Sequence, residues 1–147
     1  MSRIETIEGE LKEAMKARDA ERRDALRLIL NSLKNSEKEL QRPLSEEEEL
    51  QVLQRERKRR VEAAEAFRSG GREDRAEAEE TELAILEEFM PAPLSEEEIE
   101  EIVDDVIAEV GATSMADLGR VMADVMPQTA GRADGSVVSQ MVREKLA

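Results

Sequence analysis

The stretch Pro91-Ala92-Pro93-Leu94-Ser95-Glu96-Glu97-Glu98-Ile99 decides how this chain is organised. Proline lacks a backbone N–H and restricts the residue before it, so the start of the stretch ends any helix that reaches it. Ser95 and Glu98 then form a capping-box pattern, which starts a new helix. The stretch therefore predicts a boundary between two helical domains, residues 1–91 and residues 92–147.

Helix-start signals recur on both sides of this boundary. Ser2, Asp19, Ser45, Ser114 and Asp134 each precede a periodic apolar segment, where a short oxygen-bearing side chain can accept from the first N–H groups of a helix. No segment alternates apolar and polar residues between turn pairs as a strand would. The sequence therefore predicts an all-α, multihelical fold of two small helical domains.

Proline and glycine mark the predicted helix ends, and apolar residues at helical spacing mark the buried faces. We expect helices to stop at Pro43, Gly70-Gly71, Gly111 and Pro127. The predicted apolar faces include Ile7, Leu11, Met15, Leu26, Ile29, Leu33, Leu40, Leu53, Val61, Leu86, Val103, Val106, Met115, Val121, Val125, Val137, Val138 and Val142. With two Phe and no Trp or Tyr, the core must consist of Leu, Ile, Val, Met and Ala.

The composition excludes most familiar kinds of active site. The chain has no His and no Cys, so it lacks the commonest general base, the commonest metal ligand and any cysteine nucleophile. We therefore expect no catalytic residues, no metal site and no cofactor. No apolar run approaches the roughly 18 residues of a membrane span, and no hydrophobic signal segment opens the sequence. A cytoplasmic location is the expectation.

The net charge of −14 is concentrated in one part of the chain. Residues 1–60 carry a net charge of +1, residues 61–111 carry −15, and residues 112–147 are neutral. The total charge therefore says little about what either end could bind, whereas the central segment repels phosphate.

Two charged clusters have both a functional and a structural interpretation. The basic cluster consists of Arg55, Arg57, Lys58, Arg59 and Arg60. It could contact phosphate, but acidic neighbours can pair with it, and we favour a solvated, self-paired helix face. The acidic run at 96–105 lacks the alternating loop and central glycine of a calcium site. Acidic residues in a first helical turn interact favourably with the helix dipole, so we favour a structural role there too.

Glycines mark two more candidate positions. Gly119 lies inside a predicted helix, where glycine costs about 1 kcal/mol relative to alanine and usually permits close backbone approach. The approaching group is either another helix of the same domain, which we favour, or an external ligand. In Gly131-Arg132-Ala133-Asp134-Gly135, the guanidinium and the first N–H groups of the last helix suit a phosphate. Alternatively, Asp134 caps that helix and Arg132 pairs with a surface acid, and the sequence leaves both interpretations open.

Several short strings, in order along the chain, carry a family resemblance. They are Met15-Lys16-Ala17-Arg18-Asp19, Leu26-Arg27, Phe67-Arg68-Ser69-Gly70-Gly71-Arg72-Glu73-Asp74, Pro91 with Leu94-Ser95-Glu96-Glu97-Glu98-Ile99, Leu118-Gly119-Arg120-Val121-Met122 and Gly131-Arg132-Ala133-Asp134-Gly135. Over essentially its whole length, the chain resembles a stand-alone member of the GatB/YqeY family. In the B subunit of the tRNA-dependent amidotransferase, a related module forms the C-terminal tail and helps to hold the tRNA.

The resemblance implies an accessory role linked to glutamine-dependent tRNA amidotransferases, which are carbon–nitrogen ligases. The chain corresponds to the tail module without the catalytic domains, so we expect no turnover by the chain alone. The expected partners are tRNA and a protein of tRNA aminoacylation or amidation, and neither DNA nor a membrane. The candidate RNA-binding residues are the matching positions Gly119, Gly131, Arg132, Asp134 and Gly135, together with Arg120.

A second hypothesis is a helical protein-interaction module without RNA contact. The charge of −15 on residues 61–111 favours it. So does the scarcity of aromatic side chains, because proteins usually hold single-stranded nucleic acid by stacking its bases on aromatics.

Overall fold

The computed structural model describes residues 2–147, which form seven α-helices and one 3₁₀ turn and contain no β-strand. The prediction of an all-α fold is confirmed. The helices are α1 Arg3–Lys16, α2 Ala20–Leu40, α3 Glu46–Ser69, α4 Glu73–Glu87, α5 Glu96–Val110, α6 Leu118–Thr129 and α7 Gly135–Leu146, and the 3₁₀ turn is Met115–Asp117. These residues divide into two compact units between Pro91 and Ala92, the N-terminal unit (α1 to α4) and the C-terminal unit (α5 to α7).

Leucine and isoleucine build the core of the N-terminal unit. Helix α1 packs on α2, and α2 packs on both α3 and α4, which form a helical hairpin. At the centre, no more than 1% exposed, are Ile7, Leu26, Ile29, Leu33, Leu53 and Leu86. Full burial of a side chain of this size stabilises the fold by about 1.5–3 kcal/mol, so this cluster holds the four helices together.

Valine builds the core of the C-terminal unit. Helices α5, α6 and α7 all contact one another. Of the eight buried side chains in this core, two are Ile99 and Leu146, and the other six are valines, Val103, Val106, Val121, Val125, Val138 and Val142. Because valine has one strongly preferred rotamer in a helix, these side chains fill a small core with little loss of rotamer freedom.

The helix starts follow the sequence signals. Ser45 and Ser95 form complete capping boxes at α3 and α5. The Ser2 hydroxyl accepts from the N–H of Glu5 at 3.2 Å, and Asp19 accepts from the N–H of Arg22 at 3.1 Å. None of the helices in the described part of the chain is long and apolar enough to cross a membrane.

The end of α6 differs from the sequence expectation. Pro127 does not stop the helix but lies in its last turn, and α6 continues to Thr129. The missing N–H of proline removes one hydrogen bond to the preceding turn, and the helix ends two residues later. Ser114 caps the 3₁₀ turn, so the α-helix itself begins at Leu118.

Part of the predicted apolar faces is wrong. Five residues expected in the core are between 37% and 51% exposed, namely Met15, Leu40, Val61, Met115 and Val137. Helical spacing identifies a stripe but not how far along it a partner helix extends. Met15, for example, is the second-last residue of α1, and Leu40 is the last residue of α2.

Candidate nucleic-acid interface

The first turn of α6 carries Gly119 and Arg120. Asp117 holds the segment that precedes this turn, because its Oδ2 accepts from the backbone N–H groups of Thr113 at 2.9 Å and Ser114 at 3.3 Å. Its Oδ1 accepts from Nη2 of Arg120 at 2.8 Å. Hydrogen bonds lower the pKa of the Asp117 carboxyl, and the one from the Thr113 N–H has a larger effect than the one from the Arg120 guanidinium. Arg120 is therefore held in a surface ion pair that a ligand would have to share or break.

Gly119 is exposed, and a Cβ built on it would meet no atom within 4 Å. The favoured interpretation, close packing against another helix of the same domain, is therefore wrong, since nothing among residues 2–147 comes that near. The surface at Gly119 is open to an external group.

The loop between α6 and α7 is fixed at two points. Gly131 is buried and has a φ of +71°, a left-handed conformation that glycine adopts without strain. The N–H of Arg132 donates to the Thr129 carbonyl at 2.9 Å, and the Arg132 carbonyl accepts from the N–H of Leu94 at 2.8 Å. The loop is thereby tied both to α6 and to the segment that precedes α5.

The Arg132 side chain is anchored through one nitrogen. Its Nε donates to the Ala92 carbonyl at 3.2 Å, and the side chain is half-buried. Among residues 2–147, its terminal amino groups have no hydrogen-bond partner, and no carboxylate lies within ion-pair distance. The pairing with a surface acid is therefore not found. Hydrogen bonds from Ser95 lower the pKa of Glu98, and the Arg132 charge adds to that effect.

Asp134 caps α7. Its Oδ1 accepts from the backbone N–H of Ser136 at 2.9 Å and from the Ser136 hydroxyl at 2.8 Å. The carboxylate therefore stands where a phosphate would sit at this helix N-terminus. A Cβ on Gly135 would lie 3.5 Å from Cε of Met126, an ordinary contact. In this loop the donors suited to an anion are thus those of Arg132 rather than the start of α7.

Helix α6 separates the candidate residues into two groups. Gly119 and Arg120 lie in its first turn, whereas the loop at 131–135 follows its last residue. With a rise of about 1.5 Å per residue, the 12-residue helix spans roughly 18 Å. One phosphate cannot contact both groups, so they can act together only as two contact points for an extended ligand.

Other basic residues of the C-terminal unit are partly neutralised. Nζ of Lys145 lies 2.8 Å from Glu100 and 3.0 Å from Asp104, and these hydrogen bonds raise the pKa of Lys145. Within residues 2–147, Arg143 makes only a long contact of 3.4 Å from its Nε to the Ser139 hydroxyl. The positive charge of Lys145 is thus neutralised by acidic side chains of α5.

The basic cluster of α3 pairs within its own unit, as favoured from the sequence. Arg59 contacts Glu56 at 3.4 Å. Arg60 is buried, with Nη1 at 2.6 Å from Glu56 and Nε at 3.5 Å from Glu82. A fully solvated face is therefore the wrong description for Arg60, because α4, which carries Glu82, covers it.

The acidic run at 96–105 lies in α5, where Glu98 completes the capping box with Ser95. Within the described residues, no group of three or more acidic side chains is arranged to hold a metal ion.

A further group of arginines, in the N-terminal unit, was not identified from the sequence. Arg18, Arg23 and Arg27 line one pocket, but along the chain they are interleaved with acidic residues.

Comparison with known proteins relates the chain to components of tRNA amidotransferases. A protein-family model described as Yqey-like protein matches residues 4–146. The chain is 36% identical over 88 residues to the E subunit of glutamyl-tRNA(Gln) amidotransferase from Thermococcus gammatolerans, covering 57% of this chain and 14% of that protein. The E subunit of the same amidotransferase from Thermococcus sibiricus is 36% identical over 72 residues, 46% of this chain and 11% of that protein. The similarity thus covers only a small part of these relatives' length.

Proposed function

This chain belongs to the YqeY-like family, and we propose that it is an accessory module that contacts tRNA through its C-terminal unit, in association with glutamine-dependent tRNA amidotransferase systems. The names of the two relatives, which contain glutamyl-tRNA(Gln), support this association. Because the similarity covers 14% or less of those proteins, we propose a tRNA-holding role without turnover of its own.

The geometry of Arg132 carries the proposal. Its Nε is held by the Ala92 carbonyl, which orients the guanidinium and leaves its terminal amino groups for a ligand. Such a planar group can donate two parallel hydrogen bonds to a phosphate. The open surface at Gly119, roughly 18 Å away along α6, supplies a second contact point. Two points at this spacing suit a nucleic-acid backbone better than a small molecule.

The charge distribution supports this unit and limits the strength of binding. Residues 112–147 are neutral, whereas residues 61–111 carry −15 and repel phosphate. With only a few phosphates neutralised, the dependence of log K on log salt should be shallow, at about −0.9 per phosphate for duplex-like contacts.

A titration of the full chain with tRNA at several salt concentrations tests the proposal. Arg132→Ala should weaken binding to different tRNA species alike and lower the slope by about one, because a phosphate contact reads no sequence. Arg132→Lys keeps the charge but loses the planar arrangement of donors, so its affinity for tRNA should lie between those of the parent chain and Arg132→Ala. Arg120→Ala should have a smaller effect, since Asp117 already holds that side chain.

The matched control is Arg55→Ala/Arg59→Ala, which removes two exposed charges from α3. Arg60 is unsuitable because it is buried. If the control abolishes binding and Arg132→Ala does not, the interface lies on the N-terminal unit and the proposal fails.

The alternative function is a protein-interaction module without RNA contact, and the −15 charge of residues 61–111 favours it. Copurification of the full chain from its own cell extract, with RNA and protein identified in the same eluate, separates the two. RNA enriched over that recovered with Arg132→Ala supports the proposed function, and a protein partner without RNA supports the alternative.

A further inference from the structure

A pocket of about 220 Å³ lies at the turn between α1 and α2. It is lined by Ala14, Met15, Arg18, Asp19, Arg23 and Arg27. Three arginines and one aspartate thus line the pocket, and the half-exposed side chain of Met15 adds an apolar wall. The pocket is positively charged in a chain whose net charge is −14.

Arg18 occupies a position that favours glycine. Its φ is +58°, and beyond it the N–H of Asp19 donates to the Ala14 carbonyl at 3.0 Å to close the end of α1. Helices commonly end in this way with a left-handed glycine, which lacks the Cβ that makes the conformation costly. An arginine here keeps a guanidinium at the pocket in spite of the backbone strain.

Arg18 and Arg27 make no side-chain hydrogen bond or ion pair within residues 2–147. Most other arginines of the chain are paired with carboxylates. Arg22, in the same helix as Arg27, contacts Glu10 at 3.1 Å and Glu88 at 2.7 Å. Although the chain has 36 acidic residues, the guanidiniums of Arg18 and Arg27 have no carboxylate within ion-pair distance among residues 2–147.

The acidic groups beside the pocket are already engaged. Oδ1 of Asp19 accepts from the N–H of Arg22 as the cap of α2. Oδ1 of Asp24 accepts from Nε of Arg23 at 2.9 Å, and this bond, with a smaller contribution from Arg27, lowers the pKa of Asp24. Neither carboxylate hydrogen-bonds to Arg18 or Arg27.

We propose that this pocket binds a phosphate group, carried either by a small phosphorylated ligand or by an RNA backbone. Guanidinium groups suit phosphate because several planar donors can meet its oxygens in charge-assisted bonds. The site lies on the N-terminal unit and is independent of the tRNA contact proposed for Arg132.

The test is a titration of the isotope-labelled full chain with inorganic pyrophosphate, followed by amide resonances at constant ionic strength. Resonances of residues 14–19 and 23–27 should shift. Arg18→Gln/Arg27→Gln should weaken binding by at least about tenfold, since it removes two charge-assisted donors. The matched control is Arg55→Gln/Arg75→Gln, which makes the same charge change in the same unit. The control should stay within about twofold of the parent chain, since distant exposed charges are screened.

Arg18→Gly separates binding from a purely structural role. It removes the guanidinium and relieves the left-handed strain, so the melting temperature should rise while pyrophosphate binding weakens. A loss of both stability and binding would assign Arg18 a structural role and overturn its part in the site.

Titration with tRNA identifies the source of the phosphate. Displacement of pyrophosphate by tRNA, with weaker tRNA binding by Arg18→Gln/Arg27→Gln, supports an RNA backbone. Pyrophosphate binding that tRNA does not disturb supports a small phosphorylated ligand. If both probes bind the double variant and the parent chain equally, or neither binds the parent chain, the proposal is wrong. Arg132→Ala leaves this pocket intact, so the two proposals can fail separately.

Discussion

The backbone N–H of Leu94 donates to the carbonyl of Arg132 at 2.8 Å, which joins the start of the C-terminal unit to the loop between its last two helices. The Arg132 side chain contacts the same segment, with its Nε on the Ala92 carbonyl. The chain after Pro91 is therefore bonded into the C-terminal unit before α5 begins. One arginine supports this loop and also carries the proposed RNA contact.

Replacement of Arg132 should show how much its side chain contributes to the stability of the fold. Arg132→Ala removes the bond to the Ala92 carbonyl but keeps the backbone bond to Leu94, so the free energy of unfolding should fall by about 0.5–1.5 kcal/mol. Urea denaturation of the full chain measures this change. Arg143→Ala is the control and should stay within about 0.5 kcal/mol of the parent chain, because Arg143 is exposed. If both variants lose the same free energy of unfolding, the bond from Arg132 to the Ala92 carbonyl does not stabilise the fold.

Two glycines of the C-terminal unit should respond to alanine in opposite directions. Gly111 ends α5 with a φ of +66°, so Gly111→Ala should destabilise the fold by about 1 kcal/mol. Gly119 is helical with open space around it, so Gly119→Ala should stabilise by about 0.5 kcal/mol. Thermal unfolding of the two variants side by side measures both signs. Destabilisation by Gly119→Ala would show that a group packs on that surface.

The ion pair at the start of α3 makes stability depend on acid pH. Arg42 contacts both carboxylate oxygens of Glu48, at 2.7 and 2.8 Å. This hydrogen bonding, with the N–H of Ser45, lowers the pKa of Glu48 from 4.5 to about 2. Because the folded pKa is the lower one, the stabilisation is complete above the unfolded value and is lost as the pH falls toward 2.

An NMR titration of the Glu48 carboxyl carbon measures this pKa. Arg42→Gln should raise the pKa because it removes the largest cause of the shift, and Ser45→Ala should raise it less. An unchanged pKa in Arg42→Gln would show that the two side chains are not paired in solution.

Removal of one partner of the buried ion pair in α3 should destabilise the fold more than replacement of both partners by apolar residues. Glu56 accepts from Arg60 at 2.6 Å and from the Ser32 hydroxyl at 2.9 Å, and both charged residues are less than 10% exposed. Glu56→Ala leaves a buried guanidinium without its nearest partner and should destabilise by about 3–5 kcal/mol. The double variant Glu56→Leu/Arg60→Met should lose much less. A double variant as unstable as Glu56→Ala would show that the charges themselves are needed.

The two units should fold independently. We expect limited proteolysis to cut first near 91–93 and the fragments 1–91 and 92–147 each to keep helical circular dichroism, because each has its own apolar core. Early cleavage at Gly70-Gly71, with the two fragments of that cut each folding independently, would place the boundary there instead.

Local signals in the sequence predicted the helices because the chemistry of a helix end is contained within a few residues. Ser45 and Ser95 were identified as caps from their neighbours alone, and each accepts the expected backbone N–H. The candidate RNA-binding residues were more difficult to interpret. Only the structure shows that Gly119 lies open and that α6 holds Arg120 and Arg132 at opposite ends.

Sequence by itself determined the fold class and, apart from the two ends of α6, the helix boundaries. Capping, proline and glycine effects and apolar periodicity act over one or two turns. The tertiary structure alone decided which charged side chains are buried and which remain exposed. Arg60 and Arg27 look alike in the sequence, yet Arg60 is buried where α4 places Glu82 at 3.5 Å, while Arg27 lines an open pocket. The reason is physical: a charge's surroundings depend on which distant helix packs against it, and hydrophobic burial sets that packing without regard to sequence distance.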